Sequence, residues 1–215
     1  MVSLKYAVRP DGGNLKVGGS AVHHFFAYLF RMKYIKRWGL MRNAMEENLE
    51  EHTLEVALLA HALAAIRRDV FGVPCDPEHV AAAAMFHDAS EILTGDLPTP
   101  VKYMTAELTG AYREIEHAAE DKLLSFLPPE LDGTYRALFD AAHAPEIYPL
   151  VKAADRLSAD IKCVEELKSG NTEFRRAAEQ TMASILAMNL PETEYFLTHF
   201  LPSFELTLDE MGLLE

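Results

Sequence analysis

Two histidines and two acids in this 215-residue chain occupy positions that a folded protein keeps dry. At 100° per residue, His52 falls within about 40° of one line with Val56, Leu59, Leu63 and Ile66, so its imidazole points where the leucines point. Further along, Val80, Ala83, Ala84, His87 and Glu91 share a stripe, with Asp88 beside them. A buried imidazole or carboxylate is costly unless it is paired, hydrogen-bonded or on a metal. Two imidazoles with carboxylates suit a divalent ion of the Mn, Fe, Co, Ni or Zn series better than Mg or Ca, which prefer all-oxygen shells. A satisfied core histidine is the competing explanation for either position. Nine His and eleven Asp over 215 positions give about 0.5 His-Asp dipeptides by chance, so His87-Asp88 alone says little. The combination of inward His52, His87 and Glu91 with Asp88 is what points to a metal.

These residues need helices to hold them. From Val22 onward apolar residues recur at three and four spacing, which predicts an all-α fold. Asp76-Pro77-Glu78 is a helix start, with an N-cap, proline in the first turn and an acid after it. That spacing predicts a helix running to about Leu93, with Gly95 as its terminating glycine. Further helices are expected over Leu49 to Arg68, Thr105 to Phe126, Pro149 to Lys168 and Thr172 to Met188. Shorter ones are expected over Phe25 to Tyr34, Gly133 to Ala142 and Glu192 to Phe200. His61 lies opposite His52 and should face solvent or another packing surface. Residues 1–20, with four glycines and Pro10, are expected to be a flexible lead-in, leaving 21–215 as one domain.

Composition narrows the function classes. Lys+Arg 20 against Asp+Glu 33 gives a net charge of −13, which disfavours a nucleic-acid polymer as partner. A small, singly phosphorylated ligand remains compatible if a few arginines or a metal ion concentrate positive charge locally. The longest apolar run, Val80 to Phe86, is far short of the roughly 20 residues that span a bilayer, and no signal peptide is legible, so no membrane association is expected. Cys75 and Cys163 belong to no CxxC pair, which fits a reducing, cytoplasmic setting.

Three segments then stand together in order: KRWGLMRNAMEENLEEHTLEVALLAHALAAI, AMFHDASEILTGDLPTPVKY and LVKAADRLSADIKCVEELKSGNTEF. They closely resemble the bacterial HD-domain 5′-deoxynucleotidases of the YfbR type, from about Val22 to Met211. The resemblance implies a single HD-domain helical bundle and a metal-dependent phosphomonoesterase that hydrolyses deoxyribonucleoside 5′-monophosphates to deoxynucleoside and phosphate. It implies His52, His87, Asp88 and Asp155 as ligands of one divalent ion, cobalt or manganese, with His52, Asp88 and Asp155 also facing the substrate. It further implies that Arg37 orients the phosphate and supports catalysis, that Trp38 shapes the sugar pocket, and that Asp96, Leu97, Pro98 and Thr99 contact the sugar. Glu91 matches the catalytic acid, and a homodimer is implied as well. Asp155 enters through the resemblance alone: it lies about 140° from Leu150, away from the apolar line Leu150, Ala154, Leu157, Ile161 and Val164. Two departures from the family pattern, Glu50 before the Glu-His pair and Gly39 in place of a commoner proline, bear on where the His52 helix starts and how the Arg37 loop runs.

Two rival readings accompany this one. An HD phosphohydrolase could act on another nucleotide, a triphosphate or cyclic ester, against which the acidic composition argues mildly: only Arg37, Lys102 and Arg42 lie near the motifs. A metal- or nucleotide-binding regulatory domain without turnover is the other, and the presence of Glu91 beside a complete ligand set speaks against it.

Overall fold

Asn48 fixes where the first long helix begins. Its side chain accepts the Glu50 and Glu51 backbone N–H groups at 3.0 and 3.1 Å while Glu51 returns a bond to the Asn48 N–H, a reciprocal cap that starts helix α2, Leu49–Ala65. The start expected at Leu49 therefore stands with Glu50 in place. The helix passes into a π turn over Ile66–Val70. The computed structural model describes residues 16–17, 20–102 and 104–212. Before α2 lies α1, Phe25–Leu29, followed by a short 3-10 turn. After it come α3 (Pro77–Ala84), α4 (Glu91–Thr94), α5 (Thr99–Lys102), α6 (Ala106–Leu124) and α7 (Pro129–Ala142). The last three are α8 (Tyr148–Lys168), α9 (Arg175–Leu186) and α10 (Pro191–His199). The fold is all-α, apart from a two-residue antiparallel pair, Lys16–Val17 with Ser20–Ala21, in register Lys16↔Ala21. All of that pair but Ala21 falls within the expected lead-in, whose other residues lie outside those described.

Helix α2 is central because its small and branched residues let two neighbours approach. His52, Val56, Leu59, Leu63 and Ile66 are all buried, as their shared stripe requires, and His61 is exposed. One core cluster joins α2, α3, α8, α9 and α10 through residues such as Leu63, Val80, Leu157, Ile185 and Phe196. A second gathers Phe25, Leu49, Ala89, Leu123 and Phe139 beneath α1, α6 and α7. Cys75 and Cys163 are both free thiols, and among the described residues no helix is long and apolar enough to cross a membrane.

The structure corrects the sequence reading in one place that matters for chemistry. The helix expected to reach Leu93 stops as an α-helix at Ala84. Phe86, His87 and Ala89 donate to carbonyls three residues back, Ala83, Ala84 and Phe86, before Glu91 opens α4. The run AAAAMFHDAS keeps a helical apolar period, so periodicity could not reveal this tightening from i−4 to i−3 bonds. Gly95 follows α4 at φ 75° and donates to Glu91 O at 2.8 Å, which ends the turn as expected.

Helix α8 is buried on two faces. Leu150, Ala154, Leu157 and Ile161 form the apolar one, while Val151, Ser158, Lys162 and Glu166 form a second buried stripe on which Asp155 also lies. Lys162 and Glu166 pair at 2.5 Å. The Glu166 carboxylate also accepts the Ala44 and Met45 N–H groups at 2.8 and 3.1 Å and Asn171 Nδ2–H at 2.7 Å. Burial opposes its ionisation, yet these donors hold it down to about 2. Asp160 differs: it is buried and its Oδ2 has no hydrogen-bond partner among the described residues, and burial pushes its carboxyl up to about 6.

A folded pKa above the unfolded one means the native state holds the proton more tightly, so stability falls as pH rises from about 4 to 6 and the loss is complete above. Asp160→Asn, which does not titrate, is expected to stabilise the protein by about 1–3 kcal/mol at pH 8 and by about half as much at pH 5. Denaturant titrations at the two pH values check this, and a gain independent of pH would show that the charge is not the cause.

Candidate active site

The tightened turn after α3 has a geometric consequence. On a continuous α-helix adjacent side chains diverge by 100°, whereas here His87 and Asp88 both face His52 on α2. The two imidazole rings are 5.5 Å apart at their centroids. Asp88 Oδ2 lies 3.1 Å from His87 Nε2 and 3.7 Å from His52 Nε2. From α8, Asp155 Oδ1 comes within 3.4 Å of His52 Nε2. His52, His87 and Asp155 each offer a ligand atom, all within 4.8 Å of one another.

The donor chemistry fits a cation. His87 Nδ1 lies 2.8 Å from Ala84 O, a carbonyl that can only accept, so the proton is assigned to Nδ1 and Nε2 presents a lone pair. His52 Nδ1 is tied to Ser158 Oγ at 3.0 Å, and that hydroxyl donates to Glu55 Oε2 at 2.8 Å, which turns His52 Nε2 inward in the same way. Both Nε2 atoms are buried and have no hydrogen-bond partner among the described residues. Buried polar atoms are rarely left so, and a bound ion resolves both at once. The carboxylates are ready as ligands. Burial works to raise Asp155, but Lys152 at 2.5 Å holds it far down. Burial likewise opposes Asp88, which His87 and His52 keep well below the usual range when they carry a proton in place of an ion.

Arg37 and Trp38 reach the cluster from the segment before α2. Lys36 bridges Asn48, and Arg37 N–H donates to Glu47 O at 3.0 Å, so this stretch doubles back on itself. Arg37 Nη1 points to Asp88 Oδ2 at 3.8 Å. Trp38 is held at φ 57°, in the left-handed region, with its ring 5.2 Å from that of Phe174. Arg42 is exposed, its backbone fastened to Glu173 and Asn171, so it is no part of the cluster.

Glu91 is buried at the first residue of α4. Lys102 Nζ donates to its Oε1 at 3.3 Å, while Oε2 has no hydrogen-bond partner among the described residues. Burial, then the nearby Asp88 charge, push this carboxyl up to about 8, against the opposing pull of Lys102. Asp96, Leu97 and Pro98 form a half-buried turn after Gly95, and Thr99 is exposed at the start of α5. Burial and Asp88 raise Asp96 above its ordinary range although Arg37 opposes them.

The structure also brings in residues that the sequence reading passed over. Glu47, Ser158 and Lys152 touch Arg37, Trp38, His52 or Asp155 directly, and Glu55 accepts from Ser158 behind His52. Glu47 carries no periodic signal because it precedes a helix in irregular backbone. Ser158 could have been found three residues after Asp155 on the same helix face.

Comparison with solved structures places this helical arrangement. An HD-domain phosphohydrolase from Listeria innocua matches with a TM-score of 0.72 at 25% identity, over 84% of this chain and 88% of that one. A cyanophage S-2L HD phosphohydrolase, DatZ, solved with dA and one catalytic Zn²⁺ ion, matches with a TM-score of 0.60 at 25% identity, over 84% and 96%. The fold is thus that of the HD-domain phosphohydrolases. Within that class, residues 24–204 match the 5′-deoxynucleotidase YfbR-like family model, and the chain belongs to that family. It is 51% identical over 191 residues to 5′-deoxynucleotidase VP0926 of Vibrio parahaemolyticus, covering 88% of this chain and 98% of that protein. It is 50% identical to 5′-deoxynucleotidase YfbR of Shigella flexneri, covering 88% and 96%.

Proposed function

We propose that this protein is a metal-dependent 5′-deoxynucleotidase whose phosphohydrolase domain spans 21–215. The observation that carries the reading is the convergence of the His52, His87 and Asp155 ligand atoms, with the Arg37 guanidinium 3.8 Å from Asp88 and Glu91 buried three residues further along. His52, His87, Asp88 and Asp155 would hold one divalent ion, Co²⁺ or Mn²⁺. When bound, that ion supplies positive charge to phosphoryl oxygens and a nucleophile at neutral pH. Arg37 presents its Nη groups where transition-state charge develops on the phosphoryl oxygens. Glu91, protonated at neutral pH, gives its proton to the departing 5′-oxygen and spares the reaction an alkoxide leaving group. Trp38 walls the sugar, and Asp96, Leu97, Pro98 and Thr99 line it, with Asp96 accepting from the 3′-hydroxyl.

The charge pattern supports a monophosphate over a triphosphate. Arg37, Lys102 and Lys152 are already paired with Glu47, Glu116 and Asp155, so the described cations near the ligands are committed to balancing acids. A cytoplasmic homodimer is part of this proposal on family grounds.

The test is phosphate release from a panel of nucleotides with and without added metal. Deoxyribonucleoside 5′-monophosphates are expected to be turned over with several bases and 3′-monophosphates to be left intact, since Asp96 repels a phosphate at that position. A pocket that merely lacks room for a 2′-hydroxyl discriminates by about 10², so the preference over ribonucleotides should be clear but finite. Equal kcat/KM for matched ribo and deoxy substrates would leave a general 5′-nucleotidase standing in place of this proposal.

A further inference from the structure

Glu47 sets a negative charge beside a pocket meant for a phosphate, which electrostatics alone disfavours. Its carboxylate is nearly inaccessible and both of its oxygens are engaged. Oε1 accepts from Arg37 Nε at 3.0 Å and lies 3.5 Å from His52 Nδ1, and Oε2 accepts from the Trp38 indole N–H at 2.8 Å. Its backbone carbonyl takes the Arg37 N–H as well. One residue thus grips Arg37 at both ends and Trp38 at its ring, and abuts the imidazole of His52 from behind.

We propose that Glu47 is the positioning residue of this site, setting Arg37 and Trp38 in register with His52. The inference rests on the function proposed above for what those three residues do. With Nε consumed by Glu47, the guanidinium can present only its Nη groups to the pocket, which fixes the plane of the fork. The indole bond supports a bulky residue held at positive φ, a conformation unfavourable for a side chain of that size. The neighbouring pair Lys36–Glu46, at 2.6 Å but with both side chains largely exposed, provides an internal contrast, since such pairs contribute little.

Glu47→Gln keeps shape but offers one carbonyl oxygen to two donors, so either Arg37 Nε or the indole N–H faces an amide NH₂. The experiment compares E47Q, E46Q, R37A and the E47Q/R37A double variant in the metal-loaded protein with a deoxynucleoside 5′-monophosphate. It also records tryptophan emission without metal or substrate, a signal that belongs to Trp38 because the chain has one Trp. E47Q is expected to lower kcat/KM by about 10- to 100-fold and to shift the emission, while E46Q does neither. The double variant should lose clearly less than the product of the two single losses, because the part of the Glu47 effect that acts through Arg37 has nothing left to position. Independent, multiplying losses, or E47Q behaving like E46Q in both readouts, would overturn the proposal. If circular dichroism shows E47Q unfolded, E47D retains the charge one methylene short and is judged by the same comparisons. A wild-type protein that releases no phosphate would refute the functional reading instead, and the emission comparison would still decide whether Glu47 holds Trp38.

Discussion

Glu91→Gln is expected to lower kcat by about 10²- to 10⁴-fold while metal content and substrate affinity stay near wild type, the loss that removal of a general acid produces. Gln nearly matches the shape of Glu and can still accept from Lys102, so the buried corner at α4 should keep its fold. The amide has no proton to give, and the 5′-oxygen must leave as an alkoxide. Steady-state kinetics with elemental analysis of the variant check this, and an unchanged kcat would reduce Glu91 to a structural acid. The pH profile supplies the sign. Because burial and Asp88 push the Glu91 carboxyl up to about 8, it is protonated at neutral pH and loses its proton as pH rises. The wild-type kcat/KM should therefore fall on the alkaline side near or below pH 8, since a cation beside Asp88 would draw the limb lower. The residual activity of Glu91→Gln should lack that limb.

The second large effect is expected at the ligands. Chelation should abolish activity, and Co²⁺ or Mn²⁺ should restore it better than Mg²⁺, because two imidazoles favour borderline d-block ions over a hard ion that demands oxygen. His87→Ala and Asp155→Ala should each cost bound metal. In Asp155→Ala the loss is compounded, since Lys152 then keeps its charge beside His52 with the carboxylate gone. Metal content measured after equilibration and desalting decides the matter. Stoichiometric ion in Asp155→Ala would remove that residue from the donor set, and full activity of protein shown to be metal-free would end the metal mechanism.

Asp155 also marks how far the sequence could be read. The stripe through His52 was legible because α2 is a regular helix and its period carries directly into burial. Asp155 was invisible to the same reasoning, which assumed one buried face, whereas α8 has two and the second is polar. That polar face is inward because its charges are mutually satisfied, Lys162 with Glu166 and Asp155 with Lys152, and hydropathy cannot see a pairing. His87 and Asp88 were legible as residue types, but their aim depends on i−3 turns that the apolar spacing does not encode. Glu47 was beyond reach altogether, because its partners Arg37 and Trp38 meet it through a segment that doubles back without regular structure.

The Glu166 anchor bears on time as well as geometry. Irregular segments usually open and reclose with little free-energy cost, and their amide hydrogens exchange quickly with solvent. The segment after Trp38 is different, because the Ala44 and Met45 amides sit on a carboxylate buried in α8 and Lys162 holds Met45 O from the same helix. Lifting it strands a buried ion pair, so those amides should exchange on the clock of the helical core. On the proposed reading the phosphate end of the pocket is a stationary wall, and movement of the nucleotide is expected at Asp96 to Lys102, where Thr99 and Pro100 are exposed and a four-residue helix is all that has to yield.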